Sequence, residues 1–133
     1  MAGDGLITVA SAHPVAETAD RLAAAAEAAG MTVFARVDHA AGAAEAGMPL
    51  RPTELILVGN PHGGTPLMQD GQTAGIDLPL RALAWEGSDG RVWVTTNDTA
   101  WIAARHGLGE ASAAAVSAVA AGLARIVGEA TGG

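Results

Sequence analysis

The chain lacks cysteine, and this absence excludes disulfide bonds, thiol redox chemistry and metal sites built on thiolates. It also lacks lysine, which excludes a phosphate-binding Walker loop in its glycine-rich middle. All the positive charge comes from seven arginines, set against 14 acidic residues, so the net charge is −7. That balance argues against nucleic acid and against an anionic membrane surface as partners, because both require a basic face.

Targeting signals are equally scarce. The N-terminal residues have no basic region followed by an apolar core, as a signal peptide would, and no apolar run approaches the length of a membrane span. Half of the 133 residues are hydrophobic, enough to bury the core of one domain. We therefore expect a soluble cytoplasmic protein with a single domain over residues 1–133.

The apolar residues recur with two different periods along the chain. These periods predict strands at 6–10, 31–38, 53–58, 81–86 and 91–96, and helices at 13–29, 39–46, 99–106 and 110–128. Most connections after the first helix are too short for parallel crossovers. The pattern therefore favours an antiparallel sheet with helices packed on one face, an α+β domain.

The middle of the chain, residues 51–80, departs from this regular pattern. The strand there should stop at Pro61, which has no N–H for a sheet ladder. Thr65 and Pro66 resemble the cap and first residue of a helix, and the glycines before them would suit an anion or form a plain turn. The segment 61–79 otherwise reads as a long loop. It is too apolar for disorder, and we expect it to pack over the sheet end beside His39.

Several motifs occur together, which makes their combination specific. They are Asp38-His39-Ala40-Ala41, Arg51-Pro52-Thr53-Glu54-Leu55, Gly59-Asn60-Pro61, Gly64-Thr65-Pro66-Leu67-Met68, Asp77-Leu78-Pro79-Leu80 and Asn97-Asp98. In this order they resemble the domain of unknown function 302 family, over roughly residues 6–108.

The resemblance implies an architecture but no reaction. It implies a β-α-β4-α fold similar to that of the TATA-box-binding proteins, with a curved antiparallel sheet, and it implies a homodimer. The C-terminal helix 110–128 follows the family-like core. The shared fold does not imply DNA binding. Function depends on the residues of a site, and this chain is acidic where a DNA-binding surface would be basic.

Two of the motif residues have a functional and a structural interpretation. His39 opens a short helix after a strand, where its imidazole would act as a general acid or base near neutral pH, or would bond a neighbouring loop. Asn60 precedes a proline at a tight corner. Its amide would orient a ligand or satisfy the backbone groups of the turn.

Three further residues complete the candidate site. Thr65 would face the same pocket, and Met68 would line it or pack the loop down. Asp77 lies in an apolar stretch, where a carboxylate accepts loop N–H groups, the favoured interpretation, or serves as a site acid. The histidines lack metal-ligand spacing, so no metal and no cofactor are predicted; they are residues 13, 39, 62 and 106.

Two hypotheses about function follow from these residues. In the first, the domain binds a small molecule in a pocket framed by His39, Asn60, Thr65 and Asp77, with His39 available for acid–base chemistry. In the second, the domain is a non-catalytic, homodimeric interaction or assembly module, and the motif residues only hold the long loop in shape.

Overall fold

The computed structural model describes residues 3–132, which form a sheet with helices on one side. The strands are β1 Leu6–Ser11, β2 Thr32–Asp38, β3 Thr53–Gly59, β4 Leu80–Glu86 and β5 Val92–Asn97. The helices are α1 Val15–Ala28, α2 His39–Glu45, α3 Pro61–Asp70, α4 Thr99–Arg105 and α5 Ala113–Thr131. Two 3-10 helices are also present, Gln72–Asp77 and Glu110–Ser112.

All neighbouring strands are antiparallel, in the order β1-β5-β4-β3-β2. This confirms the predicted α+β class and the antiparallel sheet. The C-terminal helix begins later and ends later than predicted, at Ala113 and Thr131, because residues 110–112 form a separate 3-10 turn. The likeness to the TATA-box-binding proteins stays a prediction.

The core lies between the sheet and a layer made by α1 and α5. Alternate residues of the central strands point toward this layer, because side chains alternate between the two faces of a strand. Ile56, Ala84 and Val94 are buried there with Leu22 of α1 and Ile126 of α5. The predicted apolar stripes of the two helices therefore form one core with the sheet.

The middle segment is more regular than predicted, and the expectation of an irregular loop over 61–79 is wrong. Residues 61–70 are helical and residues 72–77 form a 3-10 helix. Thr65 is not a cap, because Asn60 and Pro61 supply the same combination of a capping side chain and a first-turn proline earlier in the chain. Pro66 then lies inside the helix.

Helix α5 also corrects an expectation from the sequence. Together with the preceding 3-10 turn, Glu110–Thr131 reaches a mean hydropathy of 1.6 over 18 residues, so by length and composition it could cross a membrane. The expectation that no apolar run approaches that length is therefore wrong. In this fold the helix packs one face against the core through Leu123, Ile126 and Val127.

The other face of the sheet carries apolar side chains that α1 and α5 do not cover. Val37, Leu55 and Leu83 lie side by side across three strands. Trp85 and Trp93 are cross-strand partners with ring centroids 6.4 Å apart. We call these five residues the open face. A sheet face in contact with water usually carries polar residues at alternate positions, so the apolar open face departs from that pattern.

Candidate functional site

A cleft of about 290 Å³ lies where the chain leaves β3 and enters α3. Its walls come from β2, from the corner between β3 and α3, from α3 itself, from residues 75–80 and from α5. The largest side chains in these walls are apolar, namely Phe34, Met68, Leu78, Leu80 and Val119. Three of the predicted site residues line the same cleft, namely Asn60, Thr65 and Met68.

Asn60 is the N-cap residue of α3. Its Oδ1 accepts a hydrogen bond from the backbone N–H of His62 at 2.9 Å, and its Nδ2 donates to the carbonyl of Gly30 at 3.3 Å. The amide therefore caps the helix and ties it to the turn between α1 and β2. Both contacts favour the structural interpretation of this residue over direct ligand orientation.

Thr65 and Met68 lie on adjacent positions of one face of α3, where both line the cleft. Thr65 is exposed and Met68 is half-buried. A Cβ atom on Gly75 would lie only 3.2 Å from Met68 Sδ, so the 3-10 helix approaches α3 closely because residue 75 is glycine. The ligand-binding role of Thr65 and Met68 stays a prediction, but the structure does place them together.

His39 does not join this group. In the register of the sheet, Thr32 pairs with Gly59 at the cleft end and Asp38 pairs with Glu54 at the other end. His39 follows Asp38, so it lies beyond five residues of strand, on the order of 17 Å, from the end of β3. The expectation that the middle segment packs beside His39 is therefore wrong.

Asp77 faces α4 and does not line the cleft. Its Oδ2 lies 2.6 Å from His106 Nε2, and its two oxygens accept from Arg105 Nη1 at 3.0 and 3.1 Å. His106 Nδ1 lies 2.9 Å from Thr73 Oγ1. We call these four side chains the Asp77 network. The carboxylate anchors the segment, as the sequence favoured, but its donors are side chains and not backbone N–H groups.

The Asp77 network is satisfied with either charge on the histidine. A neutral ring donates from Nε2 to Asp77 and accepts the Thr73 hydroxyl at Nδ1. A protonated ring donates from both nitrogens, and the Thr73 oxygen then accepts. The side chains of His106 and Asp77 are only 7% and 17% exposed. The hydrogen bonds of the network are thus complete without a ligand. Its geometry indicates a structural role, which is to hold residues 73–77 against α4.

A second carboxylate, that of Asp70, holds the C-terminal end of α3 in place. Asp70 Oδ2 accepts from the Gly109 N–H at 2.9 Å and from the Ser112 hydroxyl at 2.7 Å. The pKa of Asp70 is lowered, first by the hydrogen bond from Gly109 and then by that from Ser112. A lowered pKa in the folded state means that these bonds stabilise the protein at neutral pH and are lost as the pH falls through that value.

Several contributors to this region were not predicted from the sequence. The sequence did contain a signal for Arg105 and His106, because an arginine and a histidine at a helix end can both donate to a carboxylate. No comparable signal existed for Phe34, whose direction depends on a register shift between Val33 and Ala35. Within residues 3–132, no three acidic or histidine side chains are close enough together to hold a metal ion.

The Asp77 network should matter more for stability than an ion pair in water. We expect Asp77→Ala to lower the free energy of unfolding by about 1–3 kcal/mol, because it leaves His106 without its acceptor. The matched change Glu129→Ala removes an exposed pair with Arg125 and should cost under about 0.5 kcal/mol. Urea unfolding of both variants at neutral pH measures the difference. Equal losses would contradict a fastening role for Asp77.

Two curated proteins are similar to nearly all of this chain. They are both named fluoride-specific ion channel FluC 1 and come from Brucella suis biovar 1 (strain 1330) and Brucella abortus biovar 1 (strain 9-941). Each is 57% identical over 128 residues, which is 96% of this chain but 50% and 47% of those proteins. The chain therefore spans about half the length of these relatives.

A solved structure and a family model identify the fold and the family. The crystal structure of an uncharacterized conserved DUF302 protein from Bacillus stearothermophilus superimposes with a TM-score of 0.84, covering 96% of this chain and 99% of that one. The two are 16% identical, so this likeness shows the fold alone. The model for the domain of unknown function DUF302 matches residues 7–129, and the chain therefore belongs to the DUF302 family.

Proposed function

We propose that this domain binds a small molecule in the cleft between α3, residues 75–80 and α5. The observation that carries the proposal is the cleft itself, about 290 Å³ in volume, in which Asn60, Thr65 and Met68 meet. That volume is close to the lower end of the range for small-molecule sites. Apolar walls with a few polar groups are also the usual composition of such sites.

The walls of the cleft are held in place from several directions, which supports a preformed site. Asn60 caps the start of α3, and Asp70 fastens its end to the turn before α5. Asp77 fastens the 3-10 helix to α4. A preformed cleft loses less conformational entropy when a ligand enters than a flexible loop would.

The proposal is binding without acid–base catalysis. His39, the candidate acid or base, follows the far end of β2, and Asp77 is engaged by Arg105 and His106. A general acid or base must reach the proton it transfers, directly or through one water. Neither residue lines the cleft, so neither is assigned a chemical role in it.

Filling the cleft tests the proposal. A Cβ on Gly64 would lie 3.6 Å from Leu78 Cδ1, so the leucine of Gly64→Leu would occupy the space between α3 and residues 75–80. The control is Gly42→Leu, another helical glycine with open space around it. Compounds from a fragment library that shift the amide NMR signals of Thr65 and Met68 should bind the control normally and the Gly64 variant at least about tenfold more weakly.

Two outcomes would contradict the binding proposal. In one, no fragment in the library perturbs the cleft amides. In the other, fragments bind the Gly64 variant as tightly as the unaltered protein, which would place their site elsewhere. The Gly42 variant shows whether a bulky residue in a short helix has any general effect.

The second candidate is a homodimeric assembly module, and the open face favours it. Val37, Leu55 and Leu83 form an apolar surface beside the rings of Trp85 and Trp93. A second copy placed on this surface would remove it from water, which is the dominant favourable term in association. The same surface patch on both copies would meet across a twofold axis, as in most homodimers.

A charge on the open face tests the dimer. Leu83→Glu should raise the dimer dissociation constant at least about tenfold, because an unpaired carboxylate would be buried at the centre of the interface. Ala24→Glu adds the same charge to the exposed side of α1 and should leave the dimer intact. Sedimentation equilibrium of the unaltered protein and both variants gives the three constants. A monomeric unaltered protein would rule out this candidate.

The curated relatives suggest which kind of protein this domain works beside. Because 96% of the chain is retained at 57% identity in proteins named as fluoride-specific ion channels, the proposed setting is beside such a channel. A cytoplasmic position belongs to the same proposal. A ligand in the cleft would then change ion flow through the channel only if ligand binding is energetically coupled to channel opening.

Flux measurements test this setting. In the full-length Brucella suis relative, leucine at the residue aligned with Gly64 should change the rate of fluoride efflux from liposomes by about twofold or more. Leucine at the residue aligned with Gly42 is the control. Identical efflux from all three proteins would contradict an influence of the cleft on the channel.

A further inference from the structure

We infer that the cleft takes an uncharged, largely apolar small molecule that makes one hydrogen bond, to the hydroxyl of Thr65. This inference rests on the binding proposed above and names the class of ligand. It follows from three features of the cleft: the chemistry of its walls, the prior engagement of its amide, and the glycines that leave it open.

The walls contain no group that would compensate a charge. None of the twelve residues lining the cleft has an ionisable side chain. Three ionisable residues adjoin the lining residues along the chain, namely His62, Asp77 and Arg81, and none of them lines the cleft. Asp77 is turned toward Arg105 and His106. A charged ligand group would lose its water on entering and find no opposite charge, which is unfavourable in an apolar site. The walls therefore select against both anions and cations.

Two polar side chains line the cleft, those of Asn60 and Thr65. Asn60 uses its Oδ1 for the N–H of His62 and its Nδ2 for the carbonyl of Gly30. The side chain of Thr65 is exposed, so its hydroxyl can exchange a hydrogen bond with water for one with a ligand. A hydroxyl both donates and accepts, so it suits a ligand alcohol, carbonyl or ether equally.

Two glycines, Gly59 and Gly64, keep side chains out of the cleft. A Cβ on Gly59 would lie 3.4 Å from Phe34 Cε2. Gly64 faces Leu78 in the same way, at 3.6 Å. Side chains at these positions would project among the apolar walls, so glycine there keeps an apolar space open.

A set of molecules that share one ring and differ in charge tests the class of ligand. The probes are benzyl alcohol, benzoate and benzylammonium, each titrated at neutral pH while the amide NMR signals of Gly64, Thr65 and Gly75 are followed. We expect the alcohol to shift these signals, and both ions to bind at least about tenfold more weakly.

Each other result has a distinct meaning. If benzoate or benzylammonium binds these residues as tightly as the alcohol, the inferred ligand class is wrong while small-molecule binding stands. If none of the three probes and no fragment from the library perturbs these signals, both the inference and the proposed function are wrong.

A second variant tests the single hydrogen bond. Thr65→Val keeps the shape of the side chain and removes its hydroxyl, so it should weaken benzyl alcohol about threefold to tenfold and leave toluene unchanged. Equal weakening of both probes would indicate an altered cleft shape, and no weakening of the alcohol would remove Thr65 from the assignment. Either result overturns the assigned contact.

Discussion

The corner at which β3 becomes α3 determines where the middle of the chain can go. Asn60 ends the strand with an extended backbone, and its side chain immediately caps the helix through the N–H of His62. The same side chain holds the carbonyl of Gly30, so the corner is tied to the neighbouring turn. No linker is needed, because a cap and a first-turn proline begin the helix directly.

Close packing then brings α3 onto α5. A Cβ on Gly63 would lie 3.0 Å from Val119 Cγ2, tighter than nearly all such contacts, so this approach depends on glycine. Beyond α3, Asp70 and Asp77 fasten the segment to residues 105–112. The cleft is the space left between α3 and the 3-10 helix once their ends are held by these hydrogen bonds. Contacts outside the cleft therefore determine its shape.

The sequence was informative where one local signal decided the structure. The alternation in β4 and β5 and the turn between them predicted the hairpin, and the stripe through Leu123 and Ile126 predicted the core face of α5. Local signals failed where two of them competed. Thr65-Pro66 and Asn60-Pro61 both resemble a helix start, and in the structure Asn60 is the residue that caps the helix and also contacts Gly30.

Long-range placement was the other source of error. His39 and Asn60 both belong to the motif set, but antiparallel pairing of β2 with β3 puts them at opposite ends of two strands. A motif list contains no information about which end of a sheet a residue occupies. Asp77 and His106 show the reverse case, since 29 residues separate two side chains that lie 2.6 Å apart. Such a pair is visible only once the helices are packed.

The cleft and the open face, which carry the two candidate functions, lie on different parts of the molecule. The cleft is lined by Thr65, Met68 and Val119, whereas the open face consists of residues on β2, β3, β4 and β5 that do not line it. A ligand that binds only the folded protein stabilises it by mass action, and so does a partner subunit. Because the two surfaces share no residue, either kind of binding can occur without the other. The proposed small-molecule binding and the proposed self-association can therefore be measured separately, each with variants that leave the other surface unchanged.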